Sequence, residues 1–176
     1  MFAKITTINL CITELLLNII KAVADHSNLP TFVDVTRKVG IHFIHINGKT
    51  AHRHIIETMG SGTVFFDFDN DGYLDLYIVN SGYITGSTNN QTGNVLYRND
   101  GSGHFIDVTA KSKTGDIGYG MAAAAADYDN DGYQDLYVAN YGADVLYHNN
   151  GDGTFTNVTG PAGIDNYLWG VAVAFL

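Results

Sequence analysis

The chain has 176 residues, a formal net charge of −9 and a single cysteine. This length is enough for one domain with a buried core, and the acidic charge argues against nucleic acid or an anionic membrane surface as a partner. One cysteine excludes an internal disulfide and every metal motif built on several cysteines. Twenty glycines and eleven tyrosines, together with many Asn and Asp turns, are typical of a β-rich chain of short strands.

Residues 1–30 form an N-terminal segment of a different character. A weakly basic start is followed by a mostly apolar run over residues 5–20 and by small residues at 22–24. This order predicts either a secretory signal peptide or a short amphipathic helix, since Glu14 and Lys21 interrupt the apolar character. No charge-free apolar run in the chain is long enough to span a bilayer as a helix.

A histidine-rich stretch follows, with two interpretations. His52 and His54 would share one face of a strand, a spacing that zinc or copper ligands use. Only Glu57 stands near them as a further ligand, so ordinary polar positions around the Asn47-Gly48 turn are the other interpretation. The full set is His42, His45, His52 and His54.

Two acidic stretches sixty positions apart organise the rest of the chain. Residues 67–76 read Asp-Phe-Asp-Asn-Asp-Gly-Tyr-Leu-Asp-Leu, and residues 127–136 read Asp-Tyr-Asp-Asn-Asp-Gly-Tyr-Gln-Asp-Leu. Each has carboxylates at positions 1, 3, 5 and 9, a glycine at position 6 and neither lysine nor arginine. Like charges this close repel one another. Calcium, which accepts flexible sets of oxygen ligands, would remove that repulsion.

The repeated stretch therefore predicts two calcium loops, in which the glycine permits a turn with positive φ and position 7 gives its backbone carbonyl. An EF-hand is excluded because it needs a glutamate at position 12 and flanking helices, whereas position 12 is Ile78 or Val138 and short runs of β-formers follow each glycine. An acidic Asp-Gly hairpin turn that binds nothing is the alternative. The predicted ligands are Asp67, Asp69, Asp71, Tyr73 and Asp75 in the first copy and Asp127, Asp129, Asp131, Tyr133 and Asp135 in the second.

The loops belong to a longer repeat with a period near fifty residues. Each unit has four strand-like pieces joined by turns rich in Gly, Asn and Asp, which favour hairpins, and four antiparallel strands at this period are typical of a β-propeller blade. Ten extra residues within 81–93 of the first unit predict a surface loop. The predicted strands are residues 63–66, 74–79, 95–98 and 105–109 in the first unit and 122–126, 134–139, 145–148 and 155–159 in the second.

The alanine run at residues 122–126 separates two lines of argument. Helix propensity alone predicts a helix, but the repeat register aligns the run with the strand predicted at residues 63–66. Small residues also suit a strand in a crowded interior, so a strand is the interpretation we adopt. The aromatic residues that recur in register predict blade core, and they are Tyr97, Tyr119, Tyr147 and Trp169.

These patterns predict an all-β fold, a partial β-propeller with two full four-stranded blades at about residues 60–109 and 118–159. Residues 32–36 match the last strand of a preceding unit, and residues 171–176 match the first strand of a third unit that is truncated at 176. Propellers have at least about four blades. We therefore expect the rest of the propeller to lie in a longer chain.

The residues resemble the FG-GAP/VCBS repeat family, whose repeats carry an Asp-x-Asp-x-Asp-Gly-x-x-Asp calcium loop in a β-propeller blade. The resemblance covers residues 31–176, and it is closer to the CRTAC/ASPIC-UnbV group, whose pattern before the first loop matches residues 32–36, 40–41 and 43–48. It implies integrin-alpha-like coordination of Ca²⁺ by the ten ligands named above. It also implies an extracytoplasmic setting (secreted, periplasmic or cell surface) and a role in adhesion or in binding an extracellular protein or glycan.

We expect no enzyme activity within this stretch. Carboxylates that are ionised together around a cation lack the separated pKa values that acid–base catalysis needs, and the common nucleophile, phosphate-loop and zinc-protease motifs are absent from the sequence. Two alternatives stay open. One is the propeller portion of a carbohydrate-active enzyme that resembles a polysaccharide lyase, with catalysis outside this stretch, and the other is a sugar-binding lectin.

Overall fold

A computed structural model describes residues 30–83, 93–164 and 166–176. The chain divides into two compact units, Met1–Asp34 and Val35–Leu176, and the described residues of the first unit, 30–34, contain neither helix nor strand. The signal peptide or helix predicted before residue 30 and most of the predicted surface loop, residues 84–92, lie outside the described residues. Within the described part of the chain, no helix has the length and apolar character needed to cross a membrane.

The second unit contains two four-stranded antiparallel sheets in which each strand pairs with the next one along the chain. This meander is the topology of a propeller blade, so the predicted fold class is confirmed. One turn of 3-10 helix (Ile55–Thr58) precedes the first sheet, and one turn of α-helix (α1, Thr109–Ser112) lies between the sheets. The strands are β1 Thr63–Phe66, β2 Asp75–Ile78, β3 Val95–Asn99 and β4 Phe105–Asp107 in the first sheet and β5 Tyr119–Ala126, β6 Asp135–Tyr141, β7 Val145–Asn149 and β8 Phe155–Asn157 in the second.

The last strand of each blade is shorter than predicted. The sequence pattern predicts that the last strands end at Thr109 and Thr159, but β4 ends at Asp107 and β8 at Asn157. The hydroxyl oxygens of these two threonines accept the backbone N–H groups of Leu96 and Leu146, each at 3.0 Å. The threonine hydroxyl thus accepts a backbone N–H group that would bond to a backbone carbonyl if the strand were longer. Thr side chains commonly compete with backbone pairing in this way.

The strands predicted in the flanking pieces are wrong. Neither residues 32–36 nor residues 171–176 form a strand, because a strand is stable only when a neighbouring strand satisfies its backbone groups. Pairing of the third unit begins and then stops among the described residues. The N–H of Gly170 donates to the carbonyl of Asn140 at 3.0 Å, and Tyr141 and Trp169 form an isolated bridge.

The alanine run forms a strand, as the register predicts, since every residue of Ala122–Ala126 pairs with β6 after a bulge at Met121. The first blade approaches β5 closely: a Cβ added to Gly62, just before β1, would lie 2.9 Å from the Cα of Ala122, and one added to Gly120 would lie 2.3 Å from Cγ1 of Val79, just after β2. Only residues with little or no side chain fit this contact. Tertiary packing therefore overrides the helix propensity of alanine.

The main core lies between the two sheets and fixes their relative position. Tyr77, Val79 and Leu96 of the first sheet pack with Leu136 and Phe155 of the second, and all five are almost completely buried. Burial of a side chain of this size contributes roughly 1.5–3 kcal/mol. The two blades consequently form one packed body, with the acidic loops at the same edge of each sheet.

Both faces of β2 are buried, because Leu76 and Ile78 belong to a second cluster on the other face of the first sheet. Among the aromatic residues predicted to be core, Tyr97, Tyr119 and Tyr147 are buried. The prediction is wrong for Trp169, which is 38% exposed. Its ring packs edge-on against Tyr141, which is itself 47% exposed, with ring centroids 5.9 Å apart.

Candidate metal centre

Each acidic stretch connects the first two strands of its blade, residues 67–74 between β1 and β2 and residues 127–134 between β5 and β6. We call them loop 1 and loop 2. Strands on both sides agree with the exclusion of an EF-hand. The predicted positive φ occurs at Gly72 (87°) and Gly132 (92°), and the Asn at position 4 of each loop is left-handed as well (Asn70, 56°; Asn130, 60°). Asn is one of the few residues that tolerate this conformation.

The aspartate at position 1 organises each loop by accepting backbone hydrogen bonds. Asp67 accepts the N–H groups of Asp71 (3.0 Å) and Gly72 (2.8 Å), and Asp71 Oδ1 accepts the N–H of Tyr73 (3.0 Å). The equivalent distances in loop 2 are 3.1, 3.0 and 2.9 Å. These bonds wind the backbone around the carboxylates and hold position 7 in place, so the two copies have the same geometry.

The winding brings most of the predicted ligand side chains together, whereas Asp75 belongs to none of the converging groups among the described residues. One oxygen from each of Asp67, Asp69 and Asp71 lies within 4.8 Å of the others, and the same holds for Asp127, Asp129 and Asp135. A third group of this kind joins two loop 2 carboxylates to a residue outside the loop, and it consists of Asp129, Asp131 and His148.

The aspartate at position 9 is completely buried in both loops. Asp75 accepts the N–H groups of Asn99 (2.8 Å) and Phe68 (3.1 Å), and Asp135 accepts those of Asn149 (2.8 Å) and Tyr128 (3.1 Å). Burial raises the pKa of Asp75 to about 6, although the hydrogen bonds oppose this, and the negative charges of Asp69 and Asp71 raise it further. Burial likewise raises the pKa of Asp135. A cation in the loop would favour the ionised form of both.

A basic side chain that was not predicted from the sequence reaches each loop from the third strand of its blade. Arg98 donates from Nε to Asp69 Oδ2 and from Nη2 to Asp71 Oδ2, both at 2.5 Å. His148 occupies the same register position in β7, and its Nδ1 lies 3.2 Å from Asp129 Oδ2 and from Asp135 Oδ1. The repeat register was the available signal, because it aligns Tyr97-Arg98-Asn99 with Tyr147-His148-Asn149.

A second missed residue, Asn149, connects the two blades next to the loops. Its side chain is buried and donates to the carbonyls of Phe68 in loop 1 (2.8 Å) and Gln134 in loop 2 (3.1 Å). Two further bonds join the loops directly, from Asn70 Nδ2 to the carbonyl of Gly132 (3.0 Å) and from the N–H of Asp67 to Gln134 Oε1 (3.2 Å). The two loops are therefore neighbours in contact across the blade boundary.

The donor set fits calcium, which prefers carboxylate and carbonyl oxygens in a flexible arrangement. Among the described residues, Asp69 Oδ1 is one of a few buried side-chain polar atoms without a hydrogen-bond partner. A buried carboxylate oxygen without a partner is costly. It lies within a set of carboxylates that converge on one another, which is the arrangement in which an oxygen is free to take a cation.

The histidine-rich stretch does not form a comparable centre. His45 Nε2 lies 3.1 Å from the hydroxyl oxygen of Ser81, and the rings of His52 and His54 are 5.9 Å apart. Within residues 30–83, 93–164 and 166–176, none of the groups that could hold a metal ion includes a histidine of this stretch. The interpretation as ordinary polar positions is the one that the geometry favours.

Comparison with models of protein families matches the chain to a repeat family. The model of the FG-GAP-like repeat family matches residues 67–138 and 127–176, and each match begins at the first aspartate of a loop. The two matches together cover more than half of the chain. A search of curated proteins found no match. The narrower grouping with CRTAC/ASPIC-UnbV proteins stays a prediction.

Proposed function

Since this chain belongs to the FG-GAP-like repeat family, we propose that it is a calcium-binding β-propeller module of an extracytoplasmic protein. The observation that carries the proposal is the same winding of two acidic loops, each with converging carboxylates and a buried aspartate at position 9. FG-GAP repeats commonly bind calcium. The proposed ligands are the ten predicted ones, with Tyr73 and Tyr133 giving backbone carbonyls.

In this proposal calcium has a structural role. Each ion would hold a strand–loop–strand corner and offset the repulsion among carboxylates. An ion that binds only the folded form stabilises it by mass action, and calcium at tenfold its Kd adds about 1.4 kcal/mol per site. Calcium sites of extracellular modules have Kd values of roughly 0.1–1 mM. Such sites stay loaded only in a calcium-rich medium, which agrees with an extracytoplasmic location.

We further propose that more blades pack on the second sheet and that the complete propeller binds an extracellular protein or glycan. Phe68 and Tyr128 occupy the same register position, yet Phe68 is 3% exposed under the second blade whereas Tyr128 is 41% exposed. Tyr141, at the end of β6, and Trp169, which follows the second sheet and packs against it, are also exposed. Large aromatic side chains of this kind are enriched at interfaces.

The proposed module is not itself catalytic. The raised pKa of Asp75, about 6, is a property that general acids share. Its side chain, however, is completely buried and both oxygens accept backbone N–H groups, so a substrate has no access to them. Asp135 is also completely buried, and its two oxygens accept the N–H groups of Tyr128 and Asn149. These carboxylates are suited to holding the loop and an ion.

The test is thermal unfolding with calcium and with a chelator. We expect calcium to raise the Tm, and the double variant Asp69→Ala/Asp129→Ala to abolish the rise. The matched control is Asp100→Asn/Asp152→Asn, which removes two exposed charges outside the loops and should keep the full rise. Identical melting curves of the unmodified protein with calcium and with chelator would refute the proposal.

A further inference from the structure

The two loops have the same backbone geometry but different basic partners. Loop 1 is contacted by Arg98 and loop 2 by His148, from equivalent positions on β3 and β7. A guanidinium stays charged at every pH that proteins tolerate. An imidazole, by contrast, can itself serve as a metal ligand through a ring nitrogen.

Arg98 holds two of the proposed calcium ligands, Asp69 and Asp71, and of their four carboxylate oxygens only Asp69 Oδ1 is left without a partner. Its fork donates to one oxygen of Asp69 and one of Asp71, both members of the converging ligand group. The hydrogen bond to Asp69 raises the pKa of the guanidinium, and the side chain is only 37% exposed. The crevice beside it is also lined by Lys111 and Asp152, which are of opposite sign. Within the described chain, Arg98 is thus the cation that loop 1 already holds.

His148 leaves loop 2 more open to a metal ion. Its Nδ1 is near two carboxylates but makes a well-aligned hydrogen bond to neither, although the atom is buried. Together with Asp129 and Asp131 it forms a group that could hold a metal ion. Among the described residues, no arginine or lysine forms an ion pair that would have to leave the loop 2 carboxylates.

We propose that Arg98 is a built-in counter-cation of loop 1 that calcium must displace, so that the two loops bind calcium with unequal affinity and loop 2 binds more tightly. The inference rests on the proposed calcium function. In the metal-free protein Arg98 offsets the repulsion of loop 1 and stabilises the fold. When calcium is present, Arg98 competes with the ion for the loop 1 carboxylates. The residue at position 98 or 148 on the third strand therefore sets the calcium affinity of the loop in its blade.

The experiment measures calcium binding by titration calorimetry at pH 8 in single-loop backgrounds. Asp129→Ala isolates loop 1 and Asp69→Ala isolates loop 2. We expect a larger Kd for loop 1 than for loop 2. In its background, Arg98→Gln should tighten calcium binding by loop 1 about fivefold, the effect of removing the partly exposed ion pairs of Arg98 with Asp69 and Asp71. The reciprocal change, His148→Arg, should weaken loop 2 by a similar factor.

Thermal unfolding gives a second readout, which does not depend on the His148 variant. Arg98→Gln should lower the Tm in chelator but not in saturating calcium. Arg98→His separates charge from ligation: tightening by both Arg98→Gln and Arg98→His supports the counter-cation, whereas tightening by Arg98→His alone overturns it. An unchanged loop 1 affinity in Arg98→Gln also overturns it while leaving the calcium function intact. Absence of binding in both single-loop backgrounds refutes the calcium function itself.

Discussion

Asn149 offers a quantitative test of how the two blades are joined at the loops. Its side chain is completely buried. It donates to the carbonyls of Phe68 (2.8 Å) and Gln134 (3.1 Å), and its Oδ1 accepts the N–H of Gly151 (3.1 Å). Asn149→Ala removes three hydrogen bonds worth about 1 kcal/mol each. We therefore expect the free energy of unfolding to fall by about 3 kcal/mol.

The matched control is Asn99→Ala, at the equivalent position of the first blade. Asn99 donates only to Leu74 (3.2 Å) and accepts from Gly101 (3.1 Å), and both bonds are solvent-exposed. Because water can replace such bonds, we expect Asn99→Ala to lower the free energy of unfolding by about 1 kcal/mol or less. Urea unfolding in chelator measures both without a contribution from metal. Equal losses for the two variants would show that Asn149 does not bridge the blades and would refute this reasoning.

Two further predictions concern packing and pH. Gly120→Ala should lower the free energy of unfolding by about 1–3 kcal/mol, because its Cβ would lie 2.9 Å from the carbonyl oxygen of Asn80 and closer still to Val79. The control is Gly60→Ala, whose Cβ would meet nothing within 4 Å. Urea unfolding measures both variants, and an equal loss of unfolding free energy in the two would contradict the prediction. Burial raises the pKa of Tyr137 to about 12 and, in the same direction, that of Tyr77. The folded state thus keeps protons that the unfolded state releases above a pH of about 10, so stability should fall as the pH rises from about 10 to 12. A combined circular dichroism and tyrosinate absorbance titration checks this, and titration of every tyrosine near pH 10 with the fold intact would contradict it.

The sequence alone was sufficient for the blade architecture because the repeat provides two independent copies of each signal. The alanine run shows this best: propensity and register disagree, and register is correct because the neighbouring blade at Gly62 leaves space only for small side chains. Register was insufficient at residues 171–176, where pairing depends on a neighbouring strand rather than on the residues themselves. It was also insufficient at Thr109 and Thr159, whose hydroxyl groups end the ladder.

The candidate site was predictable in part. Spacing within each loop identified the carboxylates that converge, since their geometry is set by local hydrogen bonds from the loop backbone. Arg98 and His148 were not identified from the sequence. Arg98 lies 27 positions from Asp71 and His148 lies 13 positions from Asp135, and both reach the loops only because the second and third strands pair. The raised pKa of Asp75 was also beyond the sequence, because it depends on complete burial.

The number of calcium ions bound per chain tests the central claim most directly. Equilibrium dialysis at calcium concentrations that saturate the sites, about tenfold above their Kd, should give two ions per chain for the unmodified protein, one for Asp69→Ala, one for Asp129→Ala and none for the double variant. A protein that binds no calcium, or one whose stoichiometry is the same in all four, would contradict the claim that the paired acidic loops are calcium sites.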